Sequence, residues 1–127
     1  MKVKHSKAIR AYMAIANMSN DKIPLSISYK LFKVKKMLQP QWDFQNERTN
    51  AIIKKYKPTQ LFNGGLKFKS KAEGEKFAKE VNDMIAEIGE MDIDFAEIKK
   101  PVISLDTNIN MSVDDIDALS DFIEFKE

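Results

Sequence analysis

Oxygen-bearing side chains recur at a regular spacing between residues 106 and 117. With Asp106 as position 1, they occupy positions 1, 3, 5, 7, 9 and 12, the ligand spacing of a calcium-binding EF-hand loop. Met111 stands at position 6, where the sharp turn of such a loop requires Gly, and Asp117 at position 12 is shorter than the usual bidentate Glu. We therefore interpret the segment as a polar loop leading into a capped, acid-rich helical turn, with calcium binding as the alternative.

Two carboxylates, Asp92 and Asp94, alternate with apolar residues in a segment that predicts a strand. Side chains two residues apart lie on the same face of a strand, and paired carboxylates hold magnesium in some nucleases and transferases. Glu97 and Lys99 are the further acid and base nearest in sequence. A strand with one solvated face produces the same alternation without any chemistry, and we favour that interpretation.

The chain has one histidine, His5, and no cysteine. The lack of cysteine excludes disulfides, thiolate metal sites and a cysteine nucleophile. No second histidine or suitably spaced carboxylate accompanies His5, so we expect it to be exposed just ahead of the first helix. The serine hydroxyls have no identifiable general base. We therefore expect no catalytic residues, no metal site, no cofactor and no enzymatic activity.

The net charge of +2 on the 127 residues conceals an uneven distribution. Residues 1–71 carry a balance of +13, and residues 72–127 carry a balance of −11. A basic surface attracts nucleic acid or an acidic protein, although two halves that fold against each other cancel much of it. Lysines outnumber arginines by 19 to 2, which disfavours the bidentate base recognition that arginine provides.

The basic residues of the first half are interleaved with aromatic ones between residues 30 and 55. Stacking of bases on aromatic rings beside cations is how single-stranded nucleic acid is bound without sequence preference. Trp42 also lies at core spacing from Leu38, which favours a buried tryptophan. We take this stretch as the candidate partner-binding site, with seven residues: Lys30, Lys33, Lys36, Trp42, Arg48, Lys54 and Lys55.

Apolar periodicity predicts two helices in the first half. Ser6 is a candidate N-cap for a helix to about Asn17, with an apolar face of Ile9, Tyr12, Met13 and Ala16. A turn over residues 17–21 follows. The next apolar series includes Ile27, Leu31, Val34 and Leu38 and continues to Tyr56. Pro40 either kinks one long helix or opens a new one at its first turn, and we favour one kinked helix over about residues 24–56.

The second half predicts shorter elements. Asn63-Gly64 favours a type I′ hairpin over residues 61–68, and Ser70 with Glu73 forms a capping box for a helix that ends near Gly89. Strands are predicted at 92–97 and 101–105. Ser112 caps a final helix, with Met111 and Ile116 as a hydrophobic staple and an apolar face of Ile116, Leu119, Phe122 and Ile123.

These elements predict one domain, residues 1–127, of the α+β class and mainly helical. Its architecture is a long helical hairpin with a small β element and a C-terminal helix. Packing the basic helix (24–56) antiparallel to the acidic one (73–90) would place opposite charges side by side. No apolar run is long enough to span a membrane, and we expect a cytoplasmic protein.

Two stretches of the sequence are similar to those of a known group of proteins. The first is Ile23 to Lys30, followed by Glu47-Arg48 and Ile52 to Tyr56. The second is the acidic strand Asp92 to Asp94, followed by the Met111-Ser112 helix start and Leu119 to Ile123. In these stretches, and in the order of elements across most of the chain, the sequence resembles small proteins encoded by tailed bacteriophages. The functions of that group are largely unknown, so the resemblance implies a phage context in a bacterial host and transfers neither an activity nor a site.

Our leading hypothesis is a phage accessory protein that binds a host or phage protein, for instance to inhibit a host or defence factor. Charge-polarised helical surfaces steer association with oppositely charged partners. The alternatives are a structural or assembly component of the virion, and a nucleic-acid-binding protein that uses the basic N-terminal half.

Overall fold

The computed structural model describes residues 1–18, 23–95, 99–105 and 111–127. Within these residues lie the helices α1 (His5–Ala16), α2 (Leu25–Tyr56), α3 (Lys71–Gly89) and α4 (Val113–Leu119). The strands are β1 (Lys2–Lys4), β2 (Thr59–Gln60), β3 (Leu66–Lys67), β4 (Asp92–Asp94), β5 (Val102–Ser104) and β6 (Glu124–Lys126). The predicted α+β fold, mainly helical, is confirmed: a long helix, small strand pairs and a C-terminal helix, which a strand follows.

Helix α1 begins two residues earlier than an N-cap at Ser6 predicts. Its N-cap is Lys4, whose ammonium can only donate and so makes no capping bond. The backbone N–H of His5 donates to the Met91 carbonyl at 2.8 Å. The predicted apolar face is half correct. Ile9 and Tyr12 are buried, whereas Met13 and Ala16 are exposed, and alanines at 8, 11 and 14 take the buried places.

Helix α2 is one continuous element of 32 residues with Pro40 inside it, about 48 Å long at 1.5 Å per residue. The predicted core positions are confirmed, since Ile27, Leu31, Val34 and Leu38 are all buried. A proline inside a helix costs about 3 kcal/mol. Packing of α1 and α3 against α2 offsets that cost.

The helix ends where Lys57 adopts a left-handed conformation (φ 48°) and Pro58 follows. The expected hairpin is present as β2 and β3, but the prediction of a type I′ turn is wrong. A type I′ turn needs positive φ at both central residues, and only Gly64 has it, at 86°. The Gly64 N–H donates to the Leu61 carbonyl and the Leu61 N–H to the Gly65 carbonyl, a longer loop that needs one left-handed glycine.

Helix α3 runs antiparallel to α2 and completes the helical hairpin. The Ser70 hydroxyl accepts from the Glu73 N–H at 3.1 Å at the start of α3. This end of α3 lies beside the end of α2, where the Tyr56 and Phe77 rings meet edge to face. The other end, Gly89, lies against Ser6 of α1.

The described residues form three strand pairs, of which one is the local hairpin and two bring distant parts of the chain together. β1 pairs antiparallel with β4, with Val3 opposite Ile93, β2 pairs antiparallel with β3, and β5 pairs parallel with β6. The predicted strands at 92 and 102 are therefore present, while β1 and β6 are additional.

Helix α4 begins with the capping box that Ser112 forms with Asp115. It ends at Leu119, so Phe122 and Ile123 lie beyond the predicted helical face but remain fully buried in the core. Parts of three sequence predictions, the turn residues 19–21, Glu97 and positions 106–110 of the calcium-like loop, lie outside the described residues.

Candidate interaction surface

The seven predicted partner-binding residues all lie on α2, but the fold uses three of them internally. The Lys30 ammonium donates to the Val102 carbonyl at 2.7 Å. Lys55 forms an ion pair with Glu80 at 2.9 Å. Trp42 is half-buried and packs against the core. These three side chains hold α2 to its neighbours, so the seven do not form one exposed surface.

Trp42 is held by a ring stack. It lies parallel to the Tyr12 ring at a centroid distance of 4.9 Å, and the Tyr12 hydroxyl donates to Gln39 at 3.1 Å. One face of the indole is therefore occupied by the protein's own ring.

The other four predicted residues, Lys33, Lys36, Arg48 and Lys54, are exposed. Lys33 lies over the Tyr29 ring at 4.7 Å. Lys33 and Lys36 belong to the first half of α2, where residues 25–42 include four lysines and no Asp or Glu. This half of the helix presents uncompensated positive charge along its own length.

The same half of α2 exposes three large apolar side chains, which we call the apolar stripe. Leu25 is 86% exposed, Tyr29 57% and Phe32 55%. Their spacing of four and then three residues places them on one face of the helix. The rings of Tyr29 and Phe32 stack with centroids 6.4 Å apart. A contiguous apolar patch bordered by polar residues is typical of an interaction site.

Sequence reasoning missed the apolar stripe because it followed one apolar series at helical spacing, the series that contains Leu31, and took Phe32 only as a ring beside the basic residues. Leu31 and Phe32 show the distinction: neighbours in sequence lie about 100° apart around a helix, and Leu31 is only 4% exposed. The signal was present as a second apolar series, offset from the series that contains Leu31.

At the other end of the hairpin, Glu80 joins α3 to the end of α2. One carboxylate oxygen accepts from the Tyr56 hydroxyl at 2.7 Å and the other from the Lys55 ammonium at 2.9 Å. The hydrogen bond from Tyr56, and then that from Lys55, hold the pKa of Glu80 below its usual value. The bond to Glu80 raises the pKa of Tyr56 in turn. The ionised carboxylate is therefore the form that the fold favours.

The turn of the β2–β3 hairpin carries the most exposed aromatic residue among those described. Phe62 is fully exposed, and Leu61 beside it is 40% exposed. Lys57, Lys67 and Lys69 on the adjoining segments are also exposed. We call this set the hairpin tip.

The expectation that His5 is exposed is wrong. Its side chain is buried (2% exposed) because α1 packs against α2. His5 Nε2 lies 3.2 Å from the Gln41 carbonyl and must carry the proton there, since a carbonyl only accepts. His5 Nδ1 and the Gln41 side-chain oxygen are buried without a hydrogen-bond partner. The only histidine is thus part of the α1–α2 interface.

The predicted carboxylate pair belongs to a solvated strand face. Asp92 and Asp94 are exposed, while Ile93 between them is half-buried. Asp92 lies 3.8 Å from Lys4 and Asp94 lies 3.6 Å from the amino terminus. Among the described residues, no group of three or more His, Asp or Glu side chains is arranged to hold a metal ion.

The described part of the calcium-like segment has structural uses. The Ser112 hydroxyl accepts from the Asp115 N–H as a helix cap, and Asp117 lies 3.5 Å from Arg10.

Comparisons with known proteins add no relative. The chain matches no family model, and neither a curated protein nor a solved structure is similar to it. Within the described residues, none of the helices combines the length and apolar character needed to cross a membrane.

Proposed function

We propose that the protein acts by binding another protein, of acidic character, through the apolar stripe of α2. The observation that carries the proposal is the exposure of Leu25, Tyr29 and Phe32 on a half-helix that has four lysines and no acid. Full burial of one such side chain contributes about 1.5–3 kcal/mol, and these three retain more than half of their surface for a partner.

The charge around the apolar stripe favours an acidic partner. Lys33 and Lys36 are exposed on the same half-helix. Charges of this kind raise the association rate with an oppositely charged surface and disfavour basic partners. The apolar side chains then provide the affinity, because exposed ion pairs contribute only about 0.2–1 kcal/mol each.

The proposal includes a biological setting, in which the protein is a non-enzymatic accessory protein of a tailed bacteriophage and its partner is a host or defence factor that it inhibits. The support for the phage setting is the resemblance in sequence alone. The support for inhibition through binding is a surface suited to association.

The test is affinity capture from nuclease-treated bacterial lysate with three forms of the protein: wild type, Phe32→Ala and Phe62→Ala. Both variants remove an exposed Phe, so they are matched in chemistry and differ in position. We expect a protein captured by wild type and by Phe62→Ala but depleted with Phe32→Ala. Equal capture by all three forms would contradict the proposal. Recovery in purified phage particles at stoichiometric copy number would instead indicate a virion component.

Nucleic-acid binding is the second candidate, and the hairpin tip is the observation that favours it. Phe62 is free to stack on a base, and Lys57, Lys67 and Lys69 supply positive charge beside it. Mobility shifts of a single-stranded oligonucleotide across a salt series test it. Steeply salt-dependent binding that weakens with Phe62→Ala supports this candidate, and the absence of a shift at low salt refutes it.

A further inference from the structure

A groove of about 630 Å³ lies between the first half of α2 and the segment 99–102. Part of its lining is apolar, and we call this part the floor: Val34 and Met37 from α2, and Pro101 and Val102 from the other segment. The volume is within the range of sites that enclose a ligand or a few side chains. An apolar side chain of a ligand can therefore be buried against the floor.

The charged part of the lining, which we call the rim, is cationic. Lys30 and Lys33 line it from α2, and Lys99 and Lys100 line it from the opposite side. The part of the lining that the structure describes includes no Asp or Glu. Four positive charges around an apolar floor are complementary to an apolar group flanked by carboxylates.

Two of the four ammonium groups are held in place before any ligand binds. Lys30 uses one of its three N–H donors on the Val102 carbonyl, which leaves donors for an acceptor in the groove. Lys33 lies over the Tyr29 ring. Prior ordering of a long side chain lowers the entropy lost on binding, which otherwise costs about 0.5–1.5 kcal/mol per side chain.

Tyr29 connects the groove to the apolar stripe. Its ring lines the groove and also stacks with Phe32. A partner seated on the apolar stripe therefore reaches the groove without leaving the surface of α2. This continuity, together with the charge of the rim, indicates what occupies the groove.

We propose that the groove binds a short acidic peptide segment of the partner protein, in which a large apolar side chain is flanked by Asp or Glu. The apolar side chain lies on Val34 and Met37, and the carboxylates accept hydrogen bonds from Lys30 and Lys33. This inference rests on the proposed function and adds the chemical class of the segment that is recognised.

The first experiment selects peptides from a displayed library of random 12-residue sequences against the full-length protein. We expect enrichment of sequences with one or two large apolar residues and with Asp or Glu within two positions of them. Basic or uncharged sequences, or no enrichment, would overturn the inference.

The second experiment measures the affinity of one enriched, fluorescently labelled peptide by anisotropy. The variants are Lys33→Glu and Lys100→Glu on the rim, and the matched control is Lys54→Glu, an exposed lysine on α2 outside the groove. We expect each rim reversal to weaken binding by about fivefold, since a rim ion pair contributes up to about 1 kcal/mol. The control should change affinity less than twofold. Equal weakening by all three variants would refute the inference.

Further controls distinguish the peptide from other anions. Alanine in place of the apolar residue of the peptide should also weaken binding, and tripolyphosphate or a single-stranded oligonucleotide should compete poorly. Strong competition by either anion would mean that the groove recognises phosphate, against the inference. If lysate capture depends on Phe32 but not on Lys33 or Lys100, the proposed function stands and the peptide groove fails.

Discussion

Leu31 and Phe32 provide a matched pair of neighbours with opposite environments. Leu31 is 4% exposed and packs in the core, whereas Phe32 is 55% exposed on the apolar stripe. Substitution of each by Ala therefore distinguishes the helix face that stabilises the fold from the helix face that is left exposed for a partner. We expect Leu31→Ala to be strongly destabilising and Phe32→Ala nearly neutral.

The magnitudes follow from burial. Leu31→Ala removes about three buried carbon groups at about 0.8 kcal/mol each and leaves a cavity, which brings the loss of unfolding free energy to about 2.5–5 kcal/mol. Full burial of a Phe side chain contributes about 1.5–3 kcal/mol. Less than half of the Phe32 surface is buried, so Phe32→Ala loses less than half of that contribution. Alanine recovers about 0.5 kcal/mol through its higher helix propensity. The net change for Phe32→Ala is then within about 1 kcal/mol.

The assay is urea denaturation followed by far-ultraviolet circular dichroism, with free energies from linear extrapolation. The slope of free energy against urea must be the same in all three proteins, because a changed slope would mean that the unfolded or folded state differs. A loss above about 2 kcal/mol for Phe32→Ala would refute the reasoning, since it would place Phe32 in the core and leave the apolar stripe without one of its two rings.

Three further predictions concern the contacts that hold the fold. His5→Ala should lower the unfolding free energy by about 2–4 kcal/mol, because it removes a buried ring and the hydrogen bond to Gln41; the exposed neighbour Lys7→Ala is the control. Glu80→Gln should destabilise at neutral pH. Because the pKa of Glu80 is lowered in the fold, its stabilisation is present above the ordinary Glu pKa and is lost as the pH falls through the lowered value, so wild type and variant should converge in acid. Ser112→Ala should cost about 0.5–2 kcal/mol by removing the cap of α4.

Each of these predictions has a contradicting outcome in the same urea assay. Equal stability of His5→Ala and Lys7→Ala would mean that the histidine is not part of the α1–α2 interface. A difference between wild type and Glu80→Gln that stays constant from neutral to acidic pH would exclude a lowered pKa at Glu80. A neutral effect of Ser112→Ala would mean that the capping box contributes nothing to α4.

Features encoded within one helical turn or one apolar series could be predicted from the sequence. Apolar residues on both sides of Pro40 favoured one helix over two, and α2 is continuous through the proline. The Ser112 cap followed from the spacing of its hydroxyl from Asp115. Both depend on neighbours a few residues away, so the local sequence contains the whole signal.

Features that depend on distant partners could not be predicted. β1 has three residues and forms because it pairs with β4, which is distant in sequence, with Val3 opposite Ile93. His5 is buried only because α1 packs against α2 near Gln41. Short strands and buried polar side chains of this kind leave no periodicity to detect.

The interaction surface was predicted in part. Composition located the basic segment on the correct helix, but it could not separate the faces of that helix. Lys55 forms an ion pair with Glu80 of α3, and only the packed structure shows this contact. The apolar stripe was hidden because exposed and buried apolar residues have the same composition.

Site-specific photo-crosslinking tests most directly the claim that a partner protein binds the apolar stripe. The photoreactive residue p-benzoylphenylalanine replaces Phe32 in one variant and, as the matched control, Phe62 in another, and both variants are crosslinked in bacterial cells. Our account predicts a discrete protein adduct from position 32 that is absent from position 62 and persists after nuclease treatment. An adduct from position 62 alone, or only nuclease-sensitive adducts, would contradict it.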